Sequence, residues 1–304
     1  MAGDAFPLRA GGWRTSDISG RLAAIRRSTG SKMDLFQPPD RGDKKDAILL
    51  VVSRGLSDFI QNAIVSIQRT GPASSMICIA LPQNALAEVQ AALSGFQDIK
   101  YFFLEDVCHA DYSSIAKYQN YGSEAFSRIT ASKWPAIRFL LGSGFRRVTY
   151  TDADIAWIRD PMPLLRAALQ AYEIAIQTEG LDNFPPQYCT GFMSFRNSEF
   201  TIVLLTELEK INFETLRSEP DANDQVVFNR LIVGSRGMIP RIFNLSELLF
   251  ANGLSAGAMS SCDDELTKIM VRRIEPMIFH ANWTVGIDNK RRLLQRTGNW
   301  LIDR

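Results

Sequence analysis

The sequence predicts an α/β protein: a mostly parallel sheet flanked by helices, folded as a single domain. Three observations carry that expectation. Apolar runs of strand length alternate with amphipathic stretches of helix length; the alternation repeats at short spacing; and no internal repeat or low-complexity linker divides the chain. The 304 residues are enough for one large α/β domain, 46% hydrophobic and 22% charged residues are an ordinary globular mixture, and the formal net charge is only +1. No global field therefore points to nucleic acid or an acidic membrane surface.

Order is expected to begin near residue 46. Residues 1–45 lack sustained periodicity and end in the polar stretch Q-P-P-D-R-G-D-K-K-D, so they read as an N-terminal arm, partly mobile, ahead of a domain spanning 46–304. A-I-L-L-V-V-S (47–53) is a strand buried on both faces. The next segment places Phe59, Ile60, Ala63, Ile64 and Ile67 on one helical stripe, and Gly71-Pro72 ends it. M-I-C-I-A-L and I-K-Y-F-F-L repeat the strand signal, separated by a helix from Gln83 to Leu93. A helix through Trp134, Ile137, Leu140 and Leu141 leads into a fourth strand, R-R-V-T-Y-T, which ends directly at Asp152. Strands E-I-A-I-Q-T and T-G-F-M-S-F follow, then helices from Glu199 to Ile211 and from Asn223 to Val233. A short strand near Met277–His280 precedes a basic tail, whose Lys290, Arg291 and Arg292 read as a solvated helix face.

Four dispersed cysteines with no CxxC pair fit neither a zinc site nor a disulfide framework, so free thiols in a reducing compartment are expected. The N-terminus lacks an apolar core of signal-peptide length and no apolar run approaches membrane-spanning length. The chain reads as cytoplasmic, without a transmembrane segment and without a nucleic-acid partner.

Four constellations bear on chemistry. T-D-A-D-I-A-W-I-R-D-P puts Asp152 and Asp154 at the carboxyl end of a strand, where open α/β sheets bind ligands. Two such carboxylates can hold one hard divalent cation and leave positions for diphosphate oxygens; the plainer alternative is a turn cap and an arginine partner. His280, one of only two histidines, ends the short strand near Met277. It is either a hydrogen-bonded core residue or the imidazole that completes an aspartate-rich metal site. Lys290 lies ten residues on, with Gly286 between. Asn223-Asp224-Gln225 opens a helix; capping accounts for the first two and leaves Gln225 without a role. Gly191 begins a strand in C-T-G-F-M-S-F, a sign of close approach by another group or of a bulge.

In their order, Y-T-D-A-D-I-A-W-I-R-D-P, C-T-G-F-M-S-F-R-N-S, N-D-Q-V-V-F-N and F-H-A-N-W-x-x-G-x-x-x-K resemble the nucleotide-diphospho-sugar transferases over roughly residues 47–292. That resemblance implies a GT-A fold, a UDP-sugar donor, Mn²⁺ (Mg²⁺ as substitute) and retention of anomeric configuration. It implies that Asp152 contacts ribose and metal, Asp154 and His280 ligate the metal, and Lys290 neutralises the diphosphate. Asp224 would hold donor-sugar hydroxyls and Gln225 would face the anomeric carbon. Ser53 and Arg54 match the position that holds the base, and Lys133 matches a cation near the donor phosphates. Gly191 falls in the donor-binding motif, but Cys189 stands where the family often has asparagine, which leaves the donor open among xylose, galactose, glucose and arabinose. The acceptor, whether glycan, protein or small molecule, is expected between loops 105–121 and 179–188. Two rival classes are a phosphatase of the haloacid-dehalogenase type, using Asp263-Asp264 downstream, and an inactive sugar-nucleotide-binding protein. A dinucleotide enzyme is disfavoured because S-R-G-L-S-D follows the first strand instead of G-x-G-x-x-G.

Overall fold

The computed structural model describes residues 45–72, 75–108, 112, 115, 118–119, 121–179, 186–254 and 275–302. The expected N-terminal arm, His109 and Asp263-Asp264 lie outside the described residues.

The elements run β1 (Asp46–Val51), α1 (Ser57–Thr70), β2 (Ser75–Leu81), α2 (Leu86–Ala92), β3 (Ile99–Phe103), α3 (Leu104–Cys108), α4 (Glu124–Ala131) and α5 (Lys133–Gly142). They continue with β4 (Arg147–Thr151), β5 (Ile155–Trp157), α6 (Met162–Ala171), β6 (Ile174–Thr178), β7 (Tyr188–Arg196), α7 (Glu199–Ser218) and α8 (Asp224–Gly234). Then come β8 (Ile242–Leu245), β9 (Phe250–Asn252), β10 (Ile278–His280) and α9 (Ile287–Arg296). Seven strands form one sheet in the order β3-β2-β1-β4-β7-β6-β8. β7 pairs antiparallel with both β4 and β6, while β1–β2, β2–β3, β1–β4 and β6–β8 are parallel. The sheet is thus parallel but for one strand, as the sequence led us to expect.

Two apolar layers cover it. Alternate residues of β1 face opposite sides: Ile48, Leu50 and Val52 meet Phe59, Ile60 and Ile64 of α1, whereas Ala47, Leu49 and Val51 share a cluster with Trp134 and Leu140 of α5. A fully buried Leu, Ile or Phe contributes about 1.5–3 kcal/mol, so the unbroken burial of β1 makes it the anchor of the sheet. Side-chain caps fix three helix starts among the described residues, Ser123 Oγ accepting from Phe126 N at 3.1 Å ahead of α4. Ser198 Oγ accepts from Thr201 N at 3.2 Å, and Asn223 Oδ1 accepts from Val226 N at 2.9 Å.

A second sheet, absent from the sequence reading, orders β5-β10-β9. β10 pairs antiparallel with β5, setting His280 opposite Ile155, the residue after Asp154. The basic tail is also more ordered than expected. It forms α9 and a docked end: Trp300 meets the Phe59 ring edge-on at 5.1 Å, Asn62 Nδ2 donates to Asn299 O at 3.0 Å, and Leu301 N donates to Asn62 Oδ1 at 2.6 Å. The reading of Lys290 and Arg291 as a merely solvated face is therefore corrected, while Arg292 is exposed and donates to Asn289 of the same helix, as that reading expects. Lys290 meets Asp154 and Arg291 bridges Asp58 and Asp288.

Candidate active site

β4 delivers the acidic pair. Its ladder with β7 runs to Thr151↔Phe192, and Asp152 N adds one more bond to Gly191 O at 2.8 Å. Ala281 N donates to Asp154 O at 3.1 Å, tying the acidic loop to the residue after His280. Asp152, Asp154 and His280 each offer a ligand atom, and these atoms lie within 4.8 Å of one another. His280 Nε2 is 3.4 Å from Asp154 Oδ1 and 3.9 Å from Asp152 Oδ2.

The imidazole is oriented from behind. Gln177 Nε2 donates to Phe250 O at 2.8 Å, which commits its amide nitrogen and leaves Oε1 facing His280 Nδ1 at 3.0 Å. An acceptor there requires a proton on Nδ1, so Nε2 is the nitrogen turned to the carboxylates, the arrangement a metal-ligating histidine uses. Two carboxylate oxygens and one imidazole nitrogen on a buried, fixed frame are a set that could hold a divalent cation.

β7 makes room for this. Its register with β6 jumps between Ile176↔Met193 and Gln177↔Cys189, so Thr190, Gly191 and Phe192 have no counterpart on β6. A Cβ on Gly191 would lie 2.3 Å from His280 Cε1 and 2.7 Å from Asp152 Oδ2. Both sequence-based readings of Gly191, close approach and bulge, describe it, and the approaching groups are His280 and Asp152 of the site itself. Cys189 lies behind the histidine, its Sγ 3.6 Å from His280 Nδ1 and accepting from Asn282 Nδ2 at 3.6 Å.

The charges form one network. Lys133, buried at 2% side-chain exposure, places Nζ 2.8 Å from Asp224 Oδ2, 3.9 Å from Asp152 Oδ1 and 3.1 Å from Thr190 O. Thr190 Oγ1 donates to Asp224 Oδ2 at 2.5 Å, and Tyr150 OH donates to Asp152 Oδ1 at 2.5 Å. Lys290 Nζ meets Asp154 Oδ2 at 2.5 Å. Burial alone would raise all three carboxyls. Lys290 and His280 outweigh it and hold Asp154 well below the usual carboxylate range. Lys133, with hydrogen bonds from its own ammonium and Thr190, holds Asp224 low. At Asp152 burial, reinforced by Asp154, overcomes Lys133 and His280 and the carboxyl is raised. Burial would lower His280, but Asp154 and Cys189 push it up to about 10.

The other expected residues fall as follows. Ser53 is buried at the end of β1 and lines a cavity of about 130 Å³ with Tyr118, Asp152, Asp154 and Lys290. Arg54 pairs with Glu88 at 3.5 Å and is not among that cavity's lining residues. Gln225 Oε1 accepts from Thr190 N at 3.3 Å, so its oxygen is engaged by backbone. Of the two expected acceptor loops, Tyr118 reaches the cavity and Tyr121 OH accepts from Asn223 Nδ2 at 3.1 Å, while much of both loops lies outside the described residues.

Three residues of this site escaped the sequence reading. Tyr150 could have been found, because positions two apart on a strand share a face and Tyr150 precedes Asp152 by two. Gln177 carried a signal too, an amide inside an apolar strand. Glu179, beyond the end of β6, is hydrogen-bonded to Gln225 and Cys189 and is raised by burial; nothing local in the sequence marks it.

This geometry meets an independent finding. The profile of the nucleotide-diphospho-sugar transferases matches residues 94–294, and the chain belongs to that family. Its relatives include UDP-D-xylose:L-fucose alpha-1,3-D-xylosyltransferase 3 of Arabidopsis thaliana, 24% identical over 84% of this chain and 66% of the relative. Another is UDP-galactose:fucoside alpha-3-galactosyltransferase of Dictyostelium discoideum, 22% identical over 86% of this chain and 44% of that protein. The chain thus spans about two thirds or less of these relatives' length. The crystal structure of galactosyltransferase LgtC, with donor and acceptor sugar analogues, superposes with a TM-score of 0.58 at 12% identity, covering 83% of this chain and 95% of that one. The fold is GT-A.

Proposed function

We propose that this chain transfers a sugar from a UDP-sugar to an acceptor hydroxyl, with retention of anomeric configuration, using a divalent cation held by Asp152, Asp154 and His280. The observation that carries the reading is the convergence of these three ligand atoms within 4.8 Å, with His280 Nε2 aimed inward by Gln177. Mn²⁺ suits two carboxylates and an imidazole best, and Mg²⁺ is the substitute to test. When bound, the cation supplies charge stabilisation to the departing diphosphate. Lys290, on the cavity wall beside Asp154, is the ammonium placed to share that task. Ser53 and Tyr118 line the same cavity and would hold the nucleoside side of the donor.

Retention rests on the reacting face. Asp224 is 3% exposed and already bound by Lys133 and Thr190, so it is poorly placed to act as a base on water or acceptor. Gln225 cannot serve easily as a nucleophile. Same-face attack by the acceptor hydroxyl, as the diphosphate leaves, fits these constraints. Asp224 then acts chiefly on the donor sugar's hydroxyls, through its place beside Thr190.

The donor sugar is taken from xylose, galactose, glucose or arabinose. The activities by which the two relatives are named make fucose or a fucoside the first acceptor to try. We place the reaction in the cytoplasm, a reading supported by the free thiols of Cys78, Cys108 and Cys189. No helix among the described residues is long and apolar enough to cross a membrane.

The test is UDP release from each UDP-sugar with Mn²⁺, with and without methyl α-L-fucoside, followed by proton NMR of the first product. Acceptor-stimulated UDP release and a retained anomeric linkage are expected. An inverted linkage overturns retention, and phosphate release from an aryl phosphate without UDP-sugar turnover overturns the transferase reading in favour of a phosphatase.

A further inference from the structure

We infer that Lys290 is a built-in competitor of the divalent cation, so that metal and nucleotide enter this site together and the metal alone is held weakly. The inference rests on the metal-dependent reading above and concerns how that site is regulated.

Both oxygens of Asp154 are engaged within the protein. Oδ2 accepts from Lys290 Nζ at 2.5 Å and Oδ1 faces His280 Nε2 at 3.4 Å. The side chain of Asp154 is 11% exposed and that of Lys290 26%, so the pair is shielded from water on the Asp154 side and open on the lysine side. A cation seated between Asp152, Asp154 and His280 would draw on the carboxylate that Lys290 already neutralises. It would also bring two positive charges beside a third, which is unfavourable where water screens poorly.

The diphosphate removes that conflict. Lys290 is the fourth residue of α9, and α9 is anchored elsewhere by Leu294 in the core and by Arg291 on Asp58. Its ammonium can therefore turn from Asp154 on a flexible four-carbon stem without moving the helix. It lines the same cavity as Ser53 and Asp152, so a diphosphate lying there would meet it directly. The nucleotide supplies Lys290 with a new partner and frees Asp154 for the metal. Linkage then requires UDP to tighten metal binding by the same factor by which metal tightens UDP binding.

A metal bridging Asp154 to the diphosphate would by itself couple the two ligands, so the decisive quantity is metal affinity without nucleotide. It is read by electron paramagnetic resonance of free Mn²⁺ during titration of the wild-type protein and of Lys290→Met, each with and without UDP. Lys290→Met is expected to bind Mn²⁺ alone about 10-fold more tightly than wild type, within the usual range of such couplings. The factor by which UDP improves Mn²⁺ binding is expected to shrink. Lys290→Arg, which keeps the charge, should bind Mn²⁺ alone as weakly as wild type; Lys290→Gln is the second neutral variant should the methionine disturb folding. Equal or weaker Mn²⁺ binding by both neutral variants overturns the inference while leaving the metal site standing. Absence of Mn²⁺ binding by the wild type even with UDP overturns the metal-dependent reading itself, and the inference with it.

Discussion

The same strands end in two different kinds of charge cluster. At the N-terminal end of the sheet, Asp46 begins β1 and takes Arg147 Nε at 3.0 Å and Arg166 Nε at 2.7 Å. Nearby in sequence logic, Glu173 just before β6 takes Arg196, Ser198 and Arg241. Each carboxylate there is held by side-chain partners. At the C-terminal end, Asp152, Asp154 and Asp224 share Lys133, Lys290 and His280, and the partners differ in how firmly they are held. Lys133 is sealed inside, whereas Lys290 lines an open cavity. Both clusters contain buried acid and nearby base, but Asp152, Asp154 and Lys290 of the second also line a cavity, where a ligand could redistribute their charges.

Breaking each end should therefore have different consequences. The largest effect is expected for Asp154→Ala, which removes a proposed metal ligand without opening the core. Turnover should fall by about 10³-fold or more, while the melting temperature stays near wild type because the released Lys290 can reach water. Asp46→Ala should do the reverse, lowering the melting temperature and leaving UDP release near wild type. Steady-state UDP release and calorimetric melting of both variants decide it, and loss of turnover in the Asp46 variant without loss of stability would undo the comparison.

Gly191→Ala comes next. Its Cβ would collide with His280 and Asp152, displacing two ligands at once. Misplacement by about 1 Å can cost about 10²-fold in rate, and Mn²⁺ affinity measured in the presence of UDP should fall in parallel. A fully active alanine variant would mean that the ligands do not act where they stand.

Lys133→Met sharpens the contrast within the site. It orphans a buried Asp224 carboxylate, and breaking such a pair typically costs about 3–5 kcal/mol. A large drop in denaturant midpoint is expected, well beyond that of Lys290→Met. Equal drops would show that both lysines are structural.

How much of this was legible beforehand follows from where the information lies. β1 declares itself in six consecutive buried residues, and Asp152 and Asp154 declare themselves by following a strand directly. His280, Lys290, Lys133, Asp224 and Gly191, widely spaced in the chain, do converge. The pairings among them could not be read: Lys290 with Asp154 depends on α9 docking against α1, His280 with Asp154 on β10 pairing with β5, and Lys133 with Asp224 on the starts of α5 and α8 meeting. β9 is three residues long, too short for a period to register, and β10, though read as a short strand near Met277–His280, carries no sign of which strands it pairs with. α9 has its apolar residues, Ile287, Leu293 and Leu294, scattered among charges, so it read as a basic tail. Gln177 and Glu179 act on other site residues instead of forming a motif, and only the folded arrangement reveals that.

The smallest expected effect concerns pH at the closed end. Burial would raise Glu173, but hydrogen bonds from Arg196 and Ser198 and the charge of Arg241 hold its carboxyl below the ordinary value. A carboxyl lowered in the folded state stabilises fully above its unfolded pKa, and that contribution fades as pH falls through the folded value. Glu173→Gln should therefore melt lower than wild type at neutral pH, and the gap should close as pH falls below the ordinary carboxylate range. A gap independent of pH would mean that packing, and not charge, is what the substitution removed.

The central claim is that the open cluster binds a nucleotide diphosphate through a divalent cation. Isothermal calorimetry of UDP binding tests it most directly, with metal-stripped protein in excess Mn²⁺ and in excess chelator, for the wild type and Asp154→Ala. The account predicts binding by the wild type in Mn²⁺, weakened about 100-fold or more in chelator, and little difference between the two conditions for Asp154→Ala. Equal UDP affinity of the wild type with and without metal would contradict it.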